Sequence, residues 1–416
     1  MEYDVIVVGA GPAGSTAARE CAARGLTVLL LDRAAFPRDK PCGGGVTVRA
    51  AGLLPFDLAP VTERVVRGVR LSLRQSRGFT RYWPGPLTYL TQRRHLDAFL
   101  VEQAVCAGAT LREGAAVREV ERAPGRVVVR AGGETFAGRA LVAADGANGR
   151  TARLAGLEVP RLVVVGLEGN VTPAGAFPRE WEDVLGLDLG GNPGGYGWIF
   201  PKGDHLNVGV GAWPAFGASL RARLDRLARF YGFDPGAIWG LRGHHLPIRQ
   251  PGAPLADGNV ALVGDAAGLL DPFSGEGIYA AIWSGRAAAR HLTAYLGGAA
   301  PDLGGYAREV ARDLLPDLHA ARRFFDLYQL VPSLYVGLVR HTGRGWGLVA
   351  RLVRGEQTYA GFLRAIGPLG AGFEFLSDLL RVTPRLQRRA AMPDPPAPAR
   401  FLRARKESGG RANGVG

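Results

Sequence analysis

The amino-acid sequence predicts an α/β protein in which a nucleotide-binding unit begins at the first residues. A β-branched run near the N-terminus leads directly into a glycine-rich turn, a helix and a second strand. Two later apolar runs, near residues 140 and 260, end in an Asp-Gly and a Gly-Asp pair. An alternating aromatic strand lies between them, and apolar helical stretches follow. These observations favour a parallel sheet with helices, a second sheet and a helical C-terminal region.

The N-terminal unit has the order strand, glycine turn, helix, strand and acidic residue. In sequence these are residues 3–8, then Gly9, Gly11 and Gly14, then residues 15–24, then residues 27–31, then Asp32. Gly9 permits the tight turn, Gly11 lets the backbone approach a pyrophosphate, and Gly14 lets the helix pack closely on the strand. Asp32 lies 18 residues past Gly14, where it can accept hydrogen bonds from a ribose, and it disfavours a 2′-phosphate. The unit predicts a bound dinucleotide without separating FAD from NAD.

Two later segments decide between these cofactors. Residues 140–148 form a strand that breaks into an Asp-Gly turn, and residues 259–268 form a buried strand that leads to a helix starting near Gly277. The three segments in this order resemble the flavoprotein hydroxylase superfamily, the group of para-hydroxybenzoate hydroxylase. The resemblance implies FAD, with Asp265 at the ribityl chain and the helix start at the pyrimidine side of the flavin. A helix N-terminus stabilises the negative charge that a reduced flavin carries there.

The resemblance also implies a set of cofactor-binding positions. Arg93 falls in a stretch similar to the family's Arg-x-x-Phe-Asp, with Leu96 in place of Phe, whereas Arg94 is expected at the surface. Val117 lies where the family meets the adenine through backbone groups. The predicted cofactor-binding residues are Gly9, Gly11, Pro12, Ala13, Gly14, Asp32, Arg33, Cys42, Gly43, Gly44, Arg93, Val117, Asp145, Gly146, Asp265, Gly275, Gly277 and Ile278.

Two longer motifs narrow the reaction. The segment from Pro37 to Gly44 fits P-x4-C-G-G, and residues 196–211 fit Y-x-W-x-F-P-x7-G-x-G. In this order they are similar to the geranylgeranyl reductase family over about residues 3–290. The resemblance implies an oxidoreductase that saturates carbon–carbon double bonds of an isoprenoid or lipid substrate by hydride transfer from tightly, non-covalently bound FAD. The sequence has no second glycine-rich βαβ unit, so NAD(P)H or reduced ferredoxin would donate electrons transiently.

The expected architecture is a Rossmann-like FAD-binding domain of the para-hydroxybenzoate hydroxylase-like type. It carries an inserted, mainly antiparallel β-sheet substrate domain and a C-terminal helical region, and we expect a monomer. The FAD-binding domain is assigned residues 1–70, 91–160 and 252–300, and the substrate domain residues 71–90 and 161–251. The helical region is assigned residues 301–392, and residues 393–416 are expected to form a disordered basic tail.

Cys42, Tyr196 and Trp198 are the candidate catalytic residues. No neighbouring His is visible to activate Cys42, and two interpretations are open: a catalytic role, or a packing or gating role at the flavin. Tyr196, Trp198 and Phe200 alternate, so they share one face of a strand. That face either lines an apolar channel for a prenyl chain or forms an aromatic sheet core. The proton for the second alkene carbon would come from Cys42, Tyr196 or an ordered water.

Composition excludes several other classes. A chain of 416 residues with 47% hydrophobic and 21% charged residues is a packed globular protein of two or three domains. No signal peptide or spanning helix is visible, so a cytoplasmic location is expected. The three cysteines are too few and too scattered for a disulfide framework or a zinc site. His244 and His245 are interpreted as polar residues at a strand end, because no acidic residues join them, and no metal is expected.

The net charge is +14, and residues 381–416 contribute nine basic and two acidic side chains, a net +7. Lysine occurs only at Lys40, Lys202 and Lys406, so most of the basic residues are arginine, as a GC-rich genome produces. A basic tail suits an anionic membrane surface or nucleic acid. The sequence lacks the interleaved basic and aromatic strings of nucleic-acid-binding proteins, so we expect peripheral membrane contact and no nucleic acid. The remaining alternative is a flavin-dependent monooxygenase on the same fold.

Overall fold

The computed structural model describes residues 2–383 and 387. The predicted tail at 393–416 lies outside the described residues, as do residues 384–392 except 387. The strands are β1 (Glu2–Val8), β2 (Val28–Leu31), β3 (Gly45–Thr47), β4 (Arg64–Val66), β5 (Gly68–Leu73), β6 (Phe79–Tyr82), β7 (Thr88–Leu90), β8 (Thr110–Arg112), β9 (Val117–Ala123), β10 (Arg126–Ala131), β11 (Glu134–Ala143), β12 (Arg161–Val171), β13 (Val184–Leu189), β14 (Gly197–Pro201), β15 (Leu206–Ala212), β16 (Trp239–Arg249), β17 (Ala256–Asp257) and β18 (Val260–Leu262).

The α-helices follow the sheets and connect them. They are α1 (Pro12–Ala22), α2 (Val48–Ala51), α3 (Arg93–Cys106), α4 (Thr151–Leu154), α5 (Leu220–Phe230), α6 (Ile278–Leu296), α7 (Gly304–Asp313), α8 (Leu315–Leu330), α9 (Pro332–His341), α10 (Gly343–Arg354), α11 (Tyr359–Ala365) and α12 (Pro368–Val382). Among the described residues, no helix is both long enough and apolar enough to span a bilayer.

An eight-stranded sheet carries the N-terminal unit. Its order is β17-β18-β11-β1-β2-β8; β10 pairs antiparallel with β11, and β9 pairs antiparallel with β10. The strand β1 pairs in parallel with β2 and β11, and β11 pairs in parallel with β18. Their carboxyl ends, at Val8, Leu31, Ala143 and Leu262, therefore meet at one edge of the sheet. The predicted parallel sheet is confirmed.

The helices α1 and α6 pack tightly on each other beside this sheet. A Cβ on Gly285 of α6 would lie 2.5 Å from the Ala13 carbonyl oxygen of α1, so the two backbones touch. The sheet beneath is fully buried at Ile6, Leu30 and Leu141. Burying each such side chain contributes about 1.5–3 kcal/mol to the stability of the fold. The sheet edge that carries the glycine turn therefore lies next to a closely packed core.

A seven-stranded sheet follows the order β16-β12-β15-β14-β13-β5-β6. Its neighbours are antiparallel except β13 and β5, which run in parallel. On one face Ile199 and Val208 pack against Leu224 and Leu227 of α5. The predicted inserted, mainly antiparallel sheet is confirmed. A third sheet has the order β3-β7-β4, and the predicted domain bounds at residue level stay a prediction.

The helices α7 to α12 form the predicted C-terminal helical region. Phe273, from the loop before α6, packs into it. Its ring centroid lies 6.1 Å from Phe324, 6.0 Å from Tyr328, 6.1 Å from Tyr335 and 5.9 Å from Tyr359. Edge-on and tilted aromatic pairs at this spacing are attractive. The helical region is thus attached directly to the loop that leads into α6.

Candidate active site between the two sheets

The glycine turn between β1 and α1 is shaped by backbone contacts. Gly9 has a φ of 98°, and a Cβ there would lie 2.4 Å from the Ala144 carbonyl oxygen. A Cβ on Gly14 would lie 1.8 Å from the Gly9 carbonyl oxygen. Gly11 is the N-cap of α1 and provides no side-chain cap, so the first N–H groups of the helix face outward from the turn. Pro12 and Ala13 open the helix and are buried.

The two later strand ends meet this turn. Ala144, at the end of β11, touches Gly9, and a Cβ on Gly264 would lie 3.0 Å from the Ala13 Cβ. Asp265 follows Gly264, and its carboxylate Oδ2 lies 3.7 Å from Lys40 Nζ. The structure therefore brings together the three segments that the sequence predicts to meet.

Two guanidinium groups converge on Gly11. A Cβ there would lie 3.8 Å from Arg38 Nη2 and 3.9 Å from Arg93 Nη2. Buried Asp97 holds both arginines, with Arg38 Nη1 at 2.8 Å and Arg93 Nε at 2.7 Å. Burial alone would lower the pKa of Arg93, but Asp97 and then Cys42 raise that pKa above its ordinary value. A pyrophosphate at the start of α1 fits this cradle, because both cations and the helix N–H groups point toward it.

Asp32 directly follows β2 and is 7% exposed. Its carboxylate oxygens accept hydrogen bonds from Ala10 N at 2.8 Å and Ala34 N at 2.9 Å, so Asp32 fixes the glycine turn. Each carboxylate oxygen can accept a second bond, which leaves capacity for a ribose. Arg33 is exposed, and Val117 is half-buried at the start of β9. Their predicted contacts with the cofactor stay predictions.

The side chain of Asp145 is used within its own loop. Its Oδ2 accepts hydrogen bonds from Arg150 N at 2.7 Å, Thr151 N at 2.9 Å and Thr151 Oγ1 at 2.7 Å, at the start of α4. Gly146 follows with a φ of 79°, and a Cβ there would lie 3.9 Å from Lys40 Nζ. Oδ1 of Asp145 is buried and has no hydrogen-bond partner among the described residues. The predicted contact of Asp145 with the cofactor stays a prediction.

His244 corrects one interpretation from the sequence. It lies in the middle of β16 rather than at a strand end, opposite Gly166 of β12. Its buried Nε2 has no hydrogen-bond partner among the described residues. Burial, and then the charge of Lys40, lower the pKa of His244 to about 4, whereas Asp265 acts in the other direction. A neutral imidazole with an orphaned nitrogen near Lys40 and Asp265 is suited to a polar group of a bound cofactor.

The helix α6 begins at Ile278, with Gly277 as its N-cap, as the sequence predicts. Gly277 provides no side-chain cap, and a Cβ there would lie 3.1 Å from Asp265 Oδ1. Gly275, two residues earlier, has a φ of 73° and lies directly under the hydroxyl of Tyr196. The start of α6 thus lies between the Gly-Asp segment and the aromatic strand of the second sheet.

The loop of Cys42, Gly43 and Gly44 lies at the boundary between the two sheets. Cys42 N donates a hydrogen bond of 2.7 Å to Glu168 Oε1 of β12. Lys202 Nζ, just after β14, donates to the Gly43 carbonyl oxygen at 2.6 Å. Gly44 N donates to Cys42 Sγ at 3.4 Å. The loop that the sequence predicts beside the flavin is therefore bonded to residues in and next to the seven-stranded sheet.

Tyr196, Trp198 and Phe200 share one face at β14, as the sequence predicts, and are half-buried. The Tyr196 hydroxyl donates to the Ser274 carbonyl oxygen. Trp198 Nε1 donates to Asn207 Oδ1 at 2.8 Å. The buried face of β14 is the opposite one, packed on α5. Tyr196 contacts the loop before α6, whereas Phe200 also packs on a hydrophobic cluster that contains Leu90 and Trp346. Both interpretations of the aromatic face, a prenyl channel and a sheet core, therefore stay predictions.

Several polar residues at this boundary were not predicted as site residues. They are Arg38, Lys40, Glu168, Lys202 and His244. Two of them carry a visible signal: Lys202 directly follows the aromatic motif in a chain with three lysines, and Glu168 interrupts an apolar strand. Among residues 2–383 and 387, no cluster of three or more His, Cys, Asp or Glu side chains is arranged to hold a metal ion.

Comparison with known proteins agrees with this geometry. Residues 2–173 match the family model described as FAD binding domain. A geranylgeranyl bacteriochlorophyll reductase-like protein from Thermoplasma acidophilum shares the fold, with a TM-score of 0.70 at 23% identity over 94% of this chain and 98% of that chain. The chain therefore carries an FAD-binding domain within a para-hydroxybenzoate hydroxylase-like fold.

Two relatives define the family. A menaquinone reductase from Mycolicibacterium smegmatis is 36% identical over 320 residues, which cover 70% of this chain and 76% of the relative. A geranylgeranyl diphosphate reductase from Rhodobacter capsulatus is 34% identical over 318 residues, which cover 72% of this chain and 78% of the relative. The chain belongs to the geranylgeranyl reductase family, which confirms the resemblance stated from its motifs.

Proposed function

We propose that this protein saturates carbon–carbon double bonds of an isoprenoid chain by hydride transfer from reduced FAD. The observation that carries the proposal is the half-buried aromatic face of β14, held between the Cys42 loop and the loop before α6. Such a face suits an apolar polyprenyl chain better than a polar substrate. The names of the relatives, a geranylgeranyl diphosphate reductase and a menaquinone reductase, agree with a prenylated substrate.

The residues at the sheet edge fit FAD. Gly11, Arg38 and Arg93 would hold the pyrophosphate, and Asp32 would accept from the adenosine ribose. Asp265 would meet the ribityl chain, as the resemblance implies. The unpartnered Nε2 of His244 near Asp265 supports a polar edge of the cofactor there. When bound and reduced, FAD supplies the hydride.

The aromatic side chains orient the substrate and exclude water from it. An isolated alkene is a poor hydride acceptor unless a proton reaches one of its carbons first. Aromatic faces stabilise the positive charge that this proton places on the other carbon, which then accepts the hydride. Trp198 is fixed for this task by its bond to Asn207 and by Gly209, where a Cβ would lie 2.1 Å from the indole Cζ2. We infer that the substrate chain lies along the ring face of Trp198.

The proton source is the second part of the proposal. Burial raises the pKa of Tyr196 above its ordinary value, so the hydroxyl keeps its proton, but that proton is donated to the Ser274 carbonyl oxygen. Cys42 Sγ accepts a hydrogen bond from Gly44 N, which leaves the thiol proton to point elsewhere. Cys42 is therefore the better of the two side-chain candidates, and an ordered water remains the alternative source.

We propose that NAD(P)H or reduced ferredoxin supplies the electrons transiently. The support is the sequence, which contains one glycine-rich βαβ unit and no second one. Anaerobic mixing of the oxidised holoenzyme with each donor in turn, followed through flavin bleaching, identifies it. Full bleaching needs one NAD(P)H per flavin, or two equivalents of a ferredoxin that gives one electron. Bleaching by neither donor contradicts this assignment.

We propose that the protein acts as a monomer at a membrane surface. Large apolar side chains are exposed on and beside α9 and along α12: Val331, Leu334, Leu338, Leu369, Phe375, Leu376, Leu379 and Val382. The basic segment that begins at Arg381 follows directly, and an anionic bilayer attracts both features. Sedimentation with anionic vesicles should be lost in Phe375→Asp and weakened by salt. Equal sedimentation with neutral vesicles at high salt would contradict this mode of contact.

The reaction is tested by anaerobic turnover with dithionite-reduced holoenzyme and geranylgeranyl diphosphate or menaquinone. A mass increase of about two daltons per saturated bond is expected. Oxygen should not be required, whereas a monooxygenase on the same fold would need oxygen and add about 16 daltons. Turnover that stops without oxygen would replace the proposed reduction with the alternative.

A further inference from the structure

We propose that Glu168 and Lys202 are positioning residues that hold the Cys42 loop (residues 42–44) from the opposite sheet. The loop belongs to the segment between β2 and β3, whereas Glu168 lies in the seven-stranded sheet and Lys202 directly follows β14 of that sheet. The inference deepens the proposed function, because the loop would lie beside the flavin. The contacts that support the inference do not depend on which substrate the protein binds.

Glu168 reaches the loop from the interior of its sheet. It lies in β12, between β15 and β16, where it pairs with Gly209 and Arg242. Its Oε1 accepts the N–H of Cys42 at 2.7 Å. Burial raises the pKa of Glu168, while Cys42 N and the nearby Lys202 partly oppose that increase. Burying a carboxylate costs free energy unless the carboxylate accepts hydrogen bonds, and Glu168 accepts one from the Cys42 loop.

Lys202 is 2% exposed and bonds only to backbone in the described residues. Its Nζ donates to the Gly43 carbonyl oxygen at 2.6 Å and to the Thr91 carbonyl oxygen at 2.9 Å. Thr91 N in turn donates to the Gly44 carbonyl oxygen at 2.9 Å. One ammonium group thus ties the loop to the segment that precedes α3.

The two glycines of the loop are explained by the same packing. A Cβ on Gly43 would lie 2.6 Å from the Phe200 ring. A Cβ on Gly44, where φ is 67°, would lie 1.9 Å from the Thr91 carbonyl oxygen and 2.9 Å from Lys202 Nζ. The sequence assigned these glycines to close approach of the flavin. In the structure, the Phe200 ring at Gly43, and the Thr91 carbonyl with the positive φ at Gly44, already exclude a side chain at these positions.

A buried charged side chain that bonds a loop contributes little net stability to the fold, but it can specify one conformation of that loop. The loop is otherwise short and rich in glycine, so it has little stiffness of its own. With Cys42 N and the Gly43 carbonyl bonded, the position of Cys42 relative to the FAD segments is set by the substrate sheet. The placement of the two sheets therefore determines the placement of the thiol.

The test uses the full chain loaded with FAD and needs no isoprenoid, so its failure is distinct from failure of the proposed reaction. In the wild type, the Cys42 amide should be protected from hydrogen exchange by about 10-fold or more relative to an unstructured amide. This measurement requires no mutant. An unprotected Cys42 amide would overturn the proposal.

Alkylation of Cys42 provides the second readout, in a Cys106→Ser background, because Cys21 is buried and Cys106 is exposed. Glu168→Leu and Lys202→Met should raise the rate of Cys42 alkylation by about 10-fold at one pH, since the loop loses a charge-assisted bond. Glu168→Gln and Lys202→Arg keep an acceptor and donors and should stay within about 3-fold of the background protein. Unchanged alkylation in both disruptive variants would overturn the proposal. If those variants do not fold, the wild-type amide decides alone.

Discussion

Replacing Lys202 with methionine should remove a pH dependence from the stability of the protein. In the folded chain, burial lowers the pKa of Lys202 from 10.5 to about 8, and Cys42, Glu63 and Glu168 offset only part of that effect. The unfolded chain restores the ordinary value. The unfolded state therefore holds more protons than the folded state between these two pKa values, and the free energy of unfolding rises with pH in that range.

The magnitude follows from the two pKa values. Their difference corresponds to about 3 kcal/mol in total, because each pKa unit is worth about 1.4 kcal/mol. Solvent screening does not reduce this figure much, since Lys202 is 2% exposed. Between about pH 7 and about pH 9 the wild type should gain about 1.4 kcal/mol from this residue, and the rest lies above that range.

The assay is reversible urea unfolding, followed by tryptophan fluorescence at several pH values. Other groups titrate in the same range: burial raises the pKa of Cys21 to about 12, which acts in the opposite direction. The quantity compared is therefore the wild type minus Lys202→Met, in which shared groups cancel. Lys202→Arg is the matched control, because arginine keeps its charge throughout and should also lack the increase. Parallel curves for the wild type and both variants would refute a lysine with a lowered pKa at this position.

Three further outcomes are expected. Gly14→Ala places a Cβ 1.8 Å from the Gly9 carbonyl oxygen, so purified protein should lose bound flavin, measured as absorbance per chain. Gly337→Ala, a helical position with open space around it, should retain flavin, and equal loss in both would contradict the close approach. Gly209→Ala should displace the Trp198 ring and lower alkene reduction about 10-fold or more at unchanged flavin content. Gly211→Ala, where the nearest atom is 3.8 Å away, should change little, and a normal rate in Gly209→Ala would exclude Trp198 from the substrate face. Asp326 is fully buried and bonds Arg322 Nε and Arg381 Nε at 2.7 Å each. Asp326→Ala should therefore destabilise by about 3 kcal/mol and expose α12 to limited proteolysis, whereas exposed Asp313→Ala should do neither.

Much of the cofactor edge was predictable because its signals are local. The turn at Gly9, the helix start at Gly277 and the strand ends near Ala144 and Gly264 are set by backbone requirements that appear in consecutive residues. Arg93 was found through a short motif, and its neighbour Arg94 is exposed, as expected. The aromatic face of β14 was found from the alternation of its residues.

The sequence could not predict the features that depend on which side chains of the two sheets come into contact. Alternation placed Tyr196, Trp198 and Phe200 on one face of β14. Only the tertiary structure showed what covers each face: α5 packs on Ile199, and Phe200 packs on a second hydrophobic cluster. His244 was misplaced at a strand end, because a strand of exposed and half-buried residues gives no clear periodic signal.

The sequence by itself determined that one edge of the parallel sheet can bind a nucleotide and that glycines are required at its turns. Both signals are local, because glycine motifs and strand patterns involve neighbouring residues. It could not determine that Glu168 and Lys202 meet the Cys42 loop, because they lie 126 residues from Cys42 and 159 residues from Gly43 along the chain. Only the packing of the two sheets determines these contacts. A buried charged side chain needs a partner close to it in space, and the spacing of residues along the sequence does not reveal which residue that partner is.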